Sequence, residues 1–249
     1  MKLKLFLGFM LACSFVHAAA VTGLETPVFK SSRELELDKD VDPPKPSSLN
    51  CYVFPRFAVV EINKPSLKGS EKIEVRPREN EESQKVLCEK NFRGPHFELK
   101  HQGGYFLGAL RNFLVVDCAD THGGRCFTEI FDAKTGGKLV EESYQSLAPA
   151  EMKTKGKNVE FTFSRVLTQK SNETCFPEKD RQCWNEILKE NKVPKSVKLS
   201  VPDCAKLFEK DPATRQQFST MFSVPAKLTL PKDQTSHFVS GEARCWLNP

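Results

Sequence analysis

Cysteine is the residue type that most constrains this chain. The sequence contains nine cysteines, and one of them, Cys13, lies within the first twenty residues. The other eight are Cys51, Cys88, Cys118, Cys126, Cys175, Cys183, Cys204 and Cys245. An even number of cysteines in an exported chain is typical of a disulfide framework, because exported proteins fold in oxidising compartments. We therefore expect all eight to form disulfides.

The first twenty residues have the pattern of a secretory signal peptide. Lys2 and Lys4 give a positive start, residues 5–16 are apolar, and alanines at 18–20 supply the small residues of a cleavage site. Two alternatives stay open, a lipoprotein anchored through Cys13 and an uncleaved membrane helix, although the apolar run falls short of the roughly 20 residues that span a bilayer. We predict an exported chain with no transmembrane segment after processing, and favour the bacterial periplasm over the extracellular space.

The pattern along the chain predicts four segments. The signal peptide, residues 1–20, precedes a polar, proline-rich lead-in at 21–48 that we expect to be extended. Residues 49–150 have the alternation of an antiparallel β region, and residues 151–249 that of an α+β region. These two regions are expected either as separate units or as one domain. The predicted fold class is α+β, predominantly antiparallel β, disulfide-linked, with two or three short helices in the C-terminal half.

Glycine pairs mark the most distinct β architecture. Gly103-Gly104, Gly123-Gly124 and Gly136-Gly137 suit tight turns, because glycine reaches positive φ without steric cost. The turns and the runs between them predict a five-strand meander of hairpins, with strands at 97–100, 105–110, 112–118, 126–131 and 138–143. The polar, lysine-rich stretch 148–158 is predicted to be a boundary or a long loop.

Helical spacing is confined to the last third of the chain. Asp180 or Glu178 can open a helix in which Trp184 and Ile187 share one face. Asp203 can cap a second helix. Asp211-Pro212 predicts the start of a third helix that continues through Phe218, Met221 and Phe222. Closing strands are expected at 226–230 and 237–246.

The spacing of the cysteines indicates some pairings without selecting one pattern. Cys118–Cys126 and Cys175–Cys183 share the spacing C-x7-C, and each pair could close a nine-residue loop. If each half is self-contained, the others pair as Cys51–Cys88 and Cys204–Cys245, which is one of 105 possible connectivities. Neither the C-x2-4-C pairs of structural zinc sites nor a redox C-x-x-C is present, so the pattern favours disulfides over metal or redox chemistry.

The most suggestive polar cluster is Asp117, Asp120 and His122. Two carboxylates and an imidazole within six residues could hold a divalent metal, or act as base and orienting group in hydrolysis. Turn chemistry explains the same residues, because Asp, Thr and Gly-Gly are typical of a loop tip. Asn172 begins a glycosylation sequon that has meaning only in a eukaryotic secretory route.

Charge is distributed unevenly. The chain carries 37 Lys and Arg against 32 Asp and Glu, a net charge of +5, and residues 151–249 hold 17 basic against 12 acidic side chains. A basic excess favours anionic partners, although a solvated mixed surface also explains it. Lys153, Lys155, Lys157 and Arg165 are the candidate residues for an anionic ligand. Nucleic acid is not expected as a partner in an exported compartment.

The function that these patterns favour is an exported, non-enzymatic binding or interaction protein, with a protein or an anionic ligand as its partner. The sequence contains no nucleotide-binding loop and no nucleophile elbow, so we predict no cofactor, no metal and no catalytic residue. The first alternative is an envelope hydrolase or metal-binding protein that uses the Asp117, Asp120 and His122 loop. The second is an envelope structural protein tethered to the membrane through residues 21–48.

Overall fold

The computed structural model describes residues 21–78, 83–118, 125–145, 148–169, 175–209 and 219–248. Its strands are β1 (Val21–Thr22), β2 (Phe29–Asp38), β3 (Lys45–Val53), β4 (Phe57–Asn63), β5 (Ser70–Pro77), β6 (Phe97–Glu98), β7 (Gly104–Leu110), β8 (Phe113–Cys118), β9 (Arg125–Asp132), β10 (Lys138–Gln145), β11 (Ala150–Lys155), β12 (Asn158–Leu167), β13 (Ser219–Leu230), β14 (His237–Phe238) and β15 (Arg244–Asn248). The helices are α1 (Gln84–Leu87), α2 (Arg181–Glu190) and α3 (Lys206–Glu209). The prediction of a mainly β chain with short helices is confirmed.

Sheet B contains the five strands β2 to β6 in sequence order, all antiparallel. Strand β5 shows why they form a sheet, because Ile73 and Val75 lie on one face and are fully buried. Residues 21–48, expected as a lead-in, instead supply β1, β2 and the start of β3. Strand β2 is mostly exposed and polar but pairs with β3 along nearly its whole length, so backbone hydrogen bonds include it in the sheet.

Sheet A contains the other ten strands and is mixed rather than purely antiparallel. Its main path runs β1-β11-β12-β10-β9-β8-β7, with β13 on β12, and with β14 and β15 on β13. Strand β1 lies parallel to β11, whereas the other pairs are antiparallel. The expected meander is present only as the four strands β7 to β10. The predicted first strand of that meander belongs to sheet B as β6, and Gly103-Gly104 lies at the crossover between the sheets.

The two sheets share one core and sheet A has a second on its other face. Val59 and Ile73 of sheet B pack with Leu114 and Phe131 of sheet A. On the far face of sheet A, Phe161 belongs to a cluster that covers strands β8 to β13. Because β10 pairs with β12, the expected division near residue 150 falls inside this one sheet.

Two predictions in the C-terminal half are wrong. The stretch 148–158 is largely strand β11 and the turn after it, because Ala150 and Met152 are buried while Glu151, Lys153 and Lys155 are exposed. Met221 and Phe222, expected in a helix, lie in β13. Tertiary burial decides this, since alternate residues from Phe222 to Leu230 pack into the core. The proposed helix start at Asp211-Pro212 lies outside the described residues.

Three cysteine pairs lie at disulfide distance: two join the segments of α1 and α3 to strands β3 and β15, and one joins α2 to the loop before it. Cys51–Cys88, Cys175–Cys183 and Cys204–Cys245 have Cα atoms 5.6, 6.0 and 5.8 Å apart. The side chains of Cys118 and Cys126 lie outside the described set. Asp180 caps α2, as the sequence indicates, and Trp184 and Ile187 are its buried residues. Within the described ranges, none of the helices is both long and apolar enough to cross a bilayer.

Candidate functional site

Asp117 is the one member of the predicted polar cluster that the structure places, because Asp120 and His122 lie outside the described residues. Asp117 follows Phe113 and Val115 on the face of β8 that packs into the sheet A core. The hydroxyl of Tyr144 on β10 donates a hydrogen bond to Asp117 Oδ2 at 2.5 Å. Burial raises the pKa of Tyr144 far above its usual value, and the charge of Asp117 adds to this. Tyr144 therefore keeps its proton and acts as a hydrogen-bond donor.

The surroundings of this pair are those of a core. Tyr144 is 1% exposed and meets the ring of Phe163 edge-on, with centroids 6.4 Å apart. Among the residues described, no three His, Cys, Asp or Glu side chains are arranged to hold a metal ion. The described part of the cluster is thus a partly buried hydrogen bond at the edge of the sheet A core.

The four predicted cationic residues are divided between two faces of sheet A. Lys153 and Lys155 project from the outer face of β11, and Lys157 follows the turn at Gly156. Arg165 shares the opposite face with Phe161 and Phe163, because these three residues occupy alternate positions along β12. The structure therefore brings the three lysines together and separates Arg165 from them.

Arg165 has local partners that explain its position. Its guanidinium stacks 5.0 Å from the ring centroid of Phe238 and lies 3.5 Å from a carboxylate oxygen of Glu142. It also donates to the hydroxyl of Ser236 at 3.2 Å. These contacts anchor the segment before β14 to sheet A, so Arg165 has a structural role there.

A lysine that the sequence analysis missed completes the outer face. Lys227 of β13 lies opposite Thr162, so it projects on the same side as Lys153 and Lys155. Lys155 and Lys227 approach one carboxylate oxygen of Glu160, at 3.3 and 3.5 Å. Burial raises the pKa of Glu160, but these two lysines outweigh it and hold the pKa below its ordinary value. Glu160 is thus an ionised group around which the lysines gather.

A groove of about 510 Å³ lies on this same outer face. Its floor is formed by the small side chains of Thr162 and Ser164 on β12, and its sides include Thr22, Pro149, Glu151 and Pro225. Lys153 is two residues from Glu151 along β11, and Lys227 lies opposite Thr162. Since alternate residues of a strand are about 7 Å apart, the lysines adjoin one end of the groove.

The groove could not be found from the sequence, because it is formed by strands that are up to about 200 residues apart in the chain. Lys227 lies within the strand predicted at 226–230, but no local pattern indicates that this strand pairs with β12. No protein family, curated protein or solved structure matches this chain. The arrangement of its own residues is therefore the basis for proposing a function.

Proposed function

We propose that this chain is an exported, non-enzymatic binding protein that holds an anionic ligand on the outer face of β11, β12 and β13. The observation that carries the proposal is the groove of about 510 Å³, one end of which adjoins Lys153 and Lys227, with Lys155 one step farther along β11. A concave surface beside several cations favours a ligand that has both a body and negative charge.

The ion pairs on this face are compatible with exchange for a ligand. Lys153 lies 3.4 Å from Glu151, and both side chains are about half exposed. Exposed pairs of this kind contribute only about 0–1 kcal/mol, so a ligand anion can replace the Glu151 carboxylate at little cost. Lys157 has no acidic partner among the described residues and adds its charge at the hairpin turn.

Export is supported by the cysteine pairs. Three pairs at disulfide distance are characteristic of proteins that fold outside the reducing cytoplasm. We assign the protein to the bacterial periplasm, with the extracellular space as the alternative compartment. The hydrolase stays a prediction, because Asp120 and His122 lie outside the described residues. The membrane-tethered structural protein also stays a prediction, because the pairing of residues 21–48 with other strands does not bear on attachment to a membrane.

The test compares a sulfated with a neutral polymer. We expect wild-type protein to bind dextran sulfate and not dextran by calorimetry, with binding that weakens as salt is added. The variant K153E/K155E/K157E is expected to lose this binding, because it replaces the three cations of the β11–β12 hairpin, which starts at the end of the groove, by anions. The matched control is K189E/K195E/K198E, which reverses three exposed lysines elsewhere.

Equal binding by the two triple variants would refute the proposed surface, because the effect would then depend on net charge alone. Failure of the wild type to bind dextran sulfate would refute an anionic ligand at this face. Circular dichroism of each variant checks that the fold is kept, since both triple substitutions are at exposed positions.

A further inference from the structure

The crossover between the two sheets, residues 99–103, is held by backbone contacts on both sides. The amide of Leu99 donates to Ile73 O at 2.9 Å, which continues the pairing of sheet B. Gly103 adopts a φ of 74° and its carbonyl packs against Gly69, where a Cβ atom would collide with it. The backbone of the crossover therefore lies directly against the segment that precedes β5.

Two buried carboxylates hold the backbone at the end of the crossover. Glu129 of β9 accepts from the amide of Gln102 at 2.9 Å, and Glu61 of β4 accepts from the amide of Phe106 at 2.8 Å. Each glutamate is only 3% exposed. Glu61 also accepts from the hydroxyl of Ser70 at 2.6 Å, so this one carboxylate connects both sheets.

His101 lies between these contacts with a buried ring nitrogen. Its Nδ1 finds no hydrogen-bond partner among the residues described, and the same is true of Oδ1 of Asn63, two residues after Glu61. Burial lowers the pKa of His101, and the charges of Glu129, Glu61 and Glu98 oppose this without overcoming it. The native crossover therefore favours the neutral imidazole.

The charges around His101 come from several strands. Glu61 (β4), Glu98 (β6) and Glu129 (β9) act on it directly. Lys72 of β5 pairs with Glu98 at 3.3 Å and also with Glu74, while Lys138 of β10 pairs with Glu129 at 2.9 Å and also with Glu141. The carboxylates that a protonated His101 would attract are thus already engaged with backbone amides or lysines.

We propose that the crossover is an acid-sensitive joint, in which protonation of His101 withdraws the Glu129 and Glu61 carboxylates from the amides of Gln102 and Phe106. A protonated ring carries an Nδ1–H that requires an acceptor. Glu129, which binds the amide of the next residue, and Glu61 are the buried carboxylates whose charges act on this ring. The two sheets then separate more readily at this edge. The inference is independent of the proposed ligand surface, which lies on another face.

Hydrogen exchange at single amides tests the joint. With intrinsic exchange rates corrected, protection at Gln102 and Phe106 is expected to fall as the pH drops below 6.5, the ordinary pKa of histidine. The fall approaches about tenfold per pH unit, the limit for uptake of one proton. H101Q is expected to abolish this dependence over the same range, because glutamine does not titrate.

H96Q is the matched control, because His96 is exposed and its Nδ1 forms a hydrogen bond with Gly94 O within its own loop. It should keep the wild-type profile. Acid-dependent exchange that persists in H101Q would overturn the proposal and assign the effect to the carboxylates. As a second readout that needs no variant, NMR titration of the His101 ring should give a midpoint below 6.5. A midpoint at or above that value would also overturn it.

Discussion

Two short helical layers cover the sheets, and they are fastened in different ways. The layer over sheet B contains α1 and is joined to β3 by Cys51–Cys88. The layer over the end of sheet A contains α2 and includes Cys175–Cys183 and Cys204–Cys245. The first depends on a buried cation, whereas the second depends on an apolar face.

The buried cation is Arg76 of β5, which is 1% exposed. It donates to the carbonyl oxygens of Leu87 and Glu89 at 2.6 and 2.8 Å, at and just beyond the end of α1. It also pairs with Glu74 at 2.5 Å, and its guanidinium lies 4.9 Å from the ring centroid of Phe92. Arg76 therefore satisfies carbonyl groups that such a short helix leaves without partners.

The second layer needs no such group, because α2 has ten residues and presents a complete apolar face. Trp184 packs on Phe222 with ring centroids 5.4 Å apart, and Ile187 lies in the same cluster. The comparison shows that α1 and α2 are attached by different contacts. A four-residue helix has little apolar surface to bury, so polar contacts and a disulfide hold it in place.

The largest expected effect is at Arg76. Replacing it in R76M keeps an unbranched apolar stem but removes the buried charge, and among the described residues it leaves Glu74 with Lys72 alone as a cationic partner. Removal of one partner of a buried ion pair costs about 3–5 kcal/mol, so we expect that loss in the free energy of unfolding measured with urea. K90M removes an exposed ion pair to Glu36 in the same region and should leave stability unchanged. Similar curves for the two variants would contradict a buried-cation attachment.

The disulfides are expected to rank next. Their sequence separations of 37 and 8 predict that losing Cys51–Cys88 destabilises the protein more than losing Cys175–Cys183. The chain-entropy relation gives about 4 kcal/mol for the longer loop and about 2.5 kcal/mol for the shorter one. Double alanine variants, compared by urea denaturation, measure both. The reverse order would show that the layer over sheet B holds without its covalent link.

The smallest effect is expected at the start of α2. The Asp180 side chain accepts from the amides of Gln182 and Cys183, at 2.9 and 3.3 Å. D180A should lower stability by about 1 kcal/mol, and D180N should lower it much less, because asparagine also caps helices well. Equal losses in D180A and D180N would mean that the charge of Asp180, rather than its capping hydrogen bonds, stabilises the helix.

Local patterns in the sequence predicted α2 and the hairpin at Gly136 well. A cap, a 3–4 residue spacing and a glycine with a φ of 68° are all contained within a few residues. The choice of sheet for each strand was not predictable in this way. Strand β6 joins β5 although its glycine-marked neighbours are in sheet A, because pairing depends on which distant strand buries the same face.

The candidate site shows the same limit. Lys153, Lys155 and Lys157 were identified together because one hairpin carries all three. Arg165 was wrongly grouped with them, although its spacing from Phe161 and Phe163 places it on the other face. Lys227 and the groove depend on the pairing of β12 with β13, which joins residues about 60 positions apart. Contacts over such distances leave no local signal.

The pairing of β1 with β11 also sets an order of events in time. The hydroxyl of Thr22 donates to Ala150 O at 3.2 Å across 128 positions of sequence. Residues 21 and 22 join a strand that begins at Ala150, so they have no pairing partner until that part of the chain has reached the folding compartment. The first strand in the sequence therefore docks only after β11 is available. Until it does, the apolar side chain of Val21 and the uncovered edge of β11 are exposed to neighbouring unfolded chains.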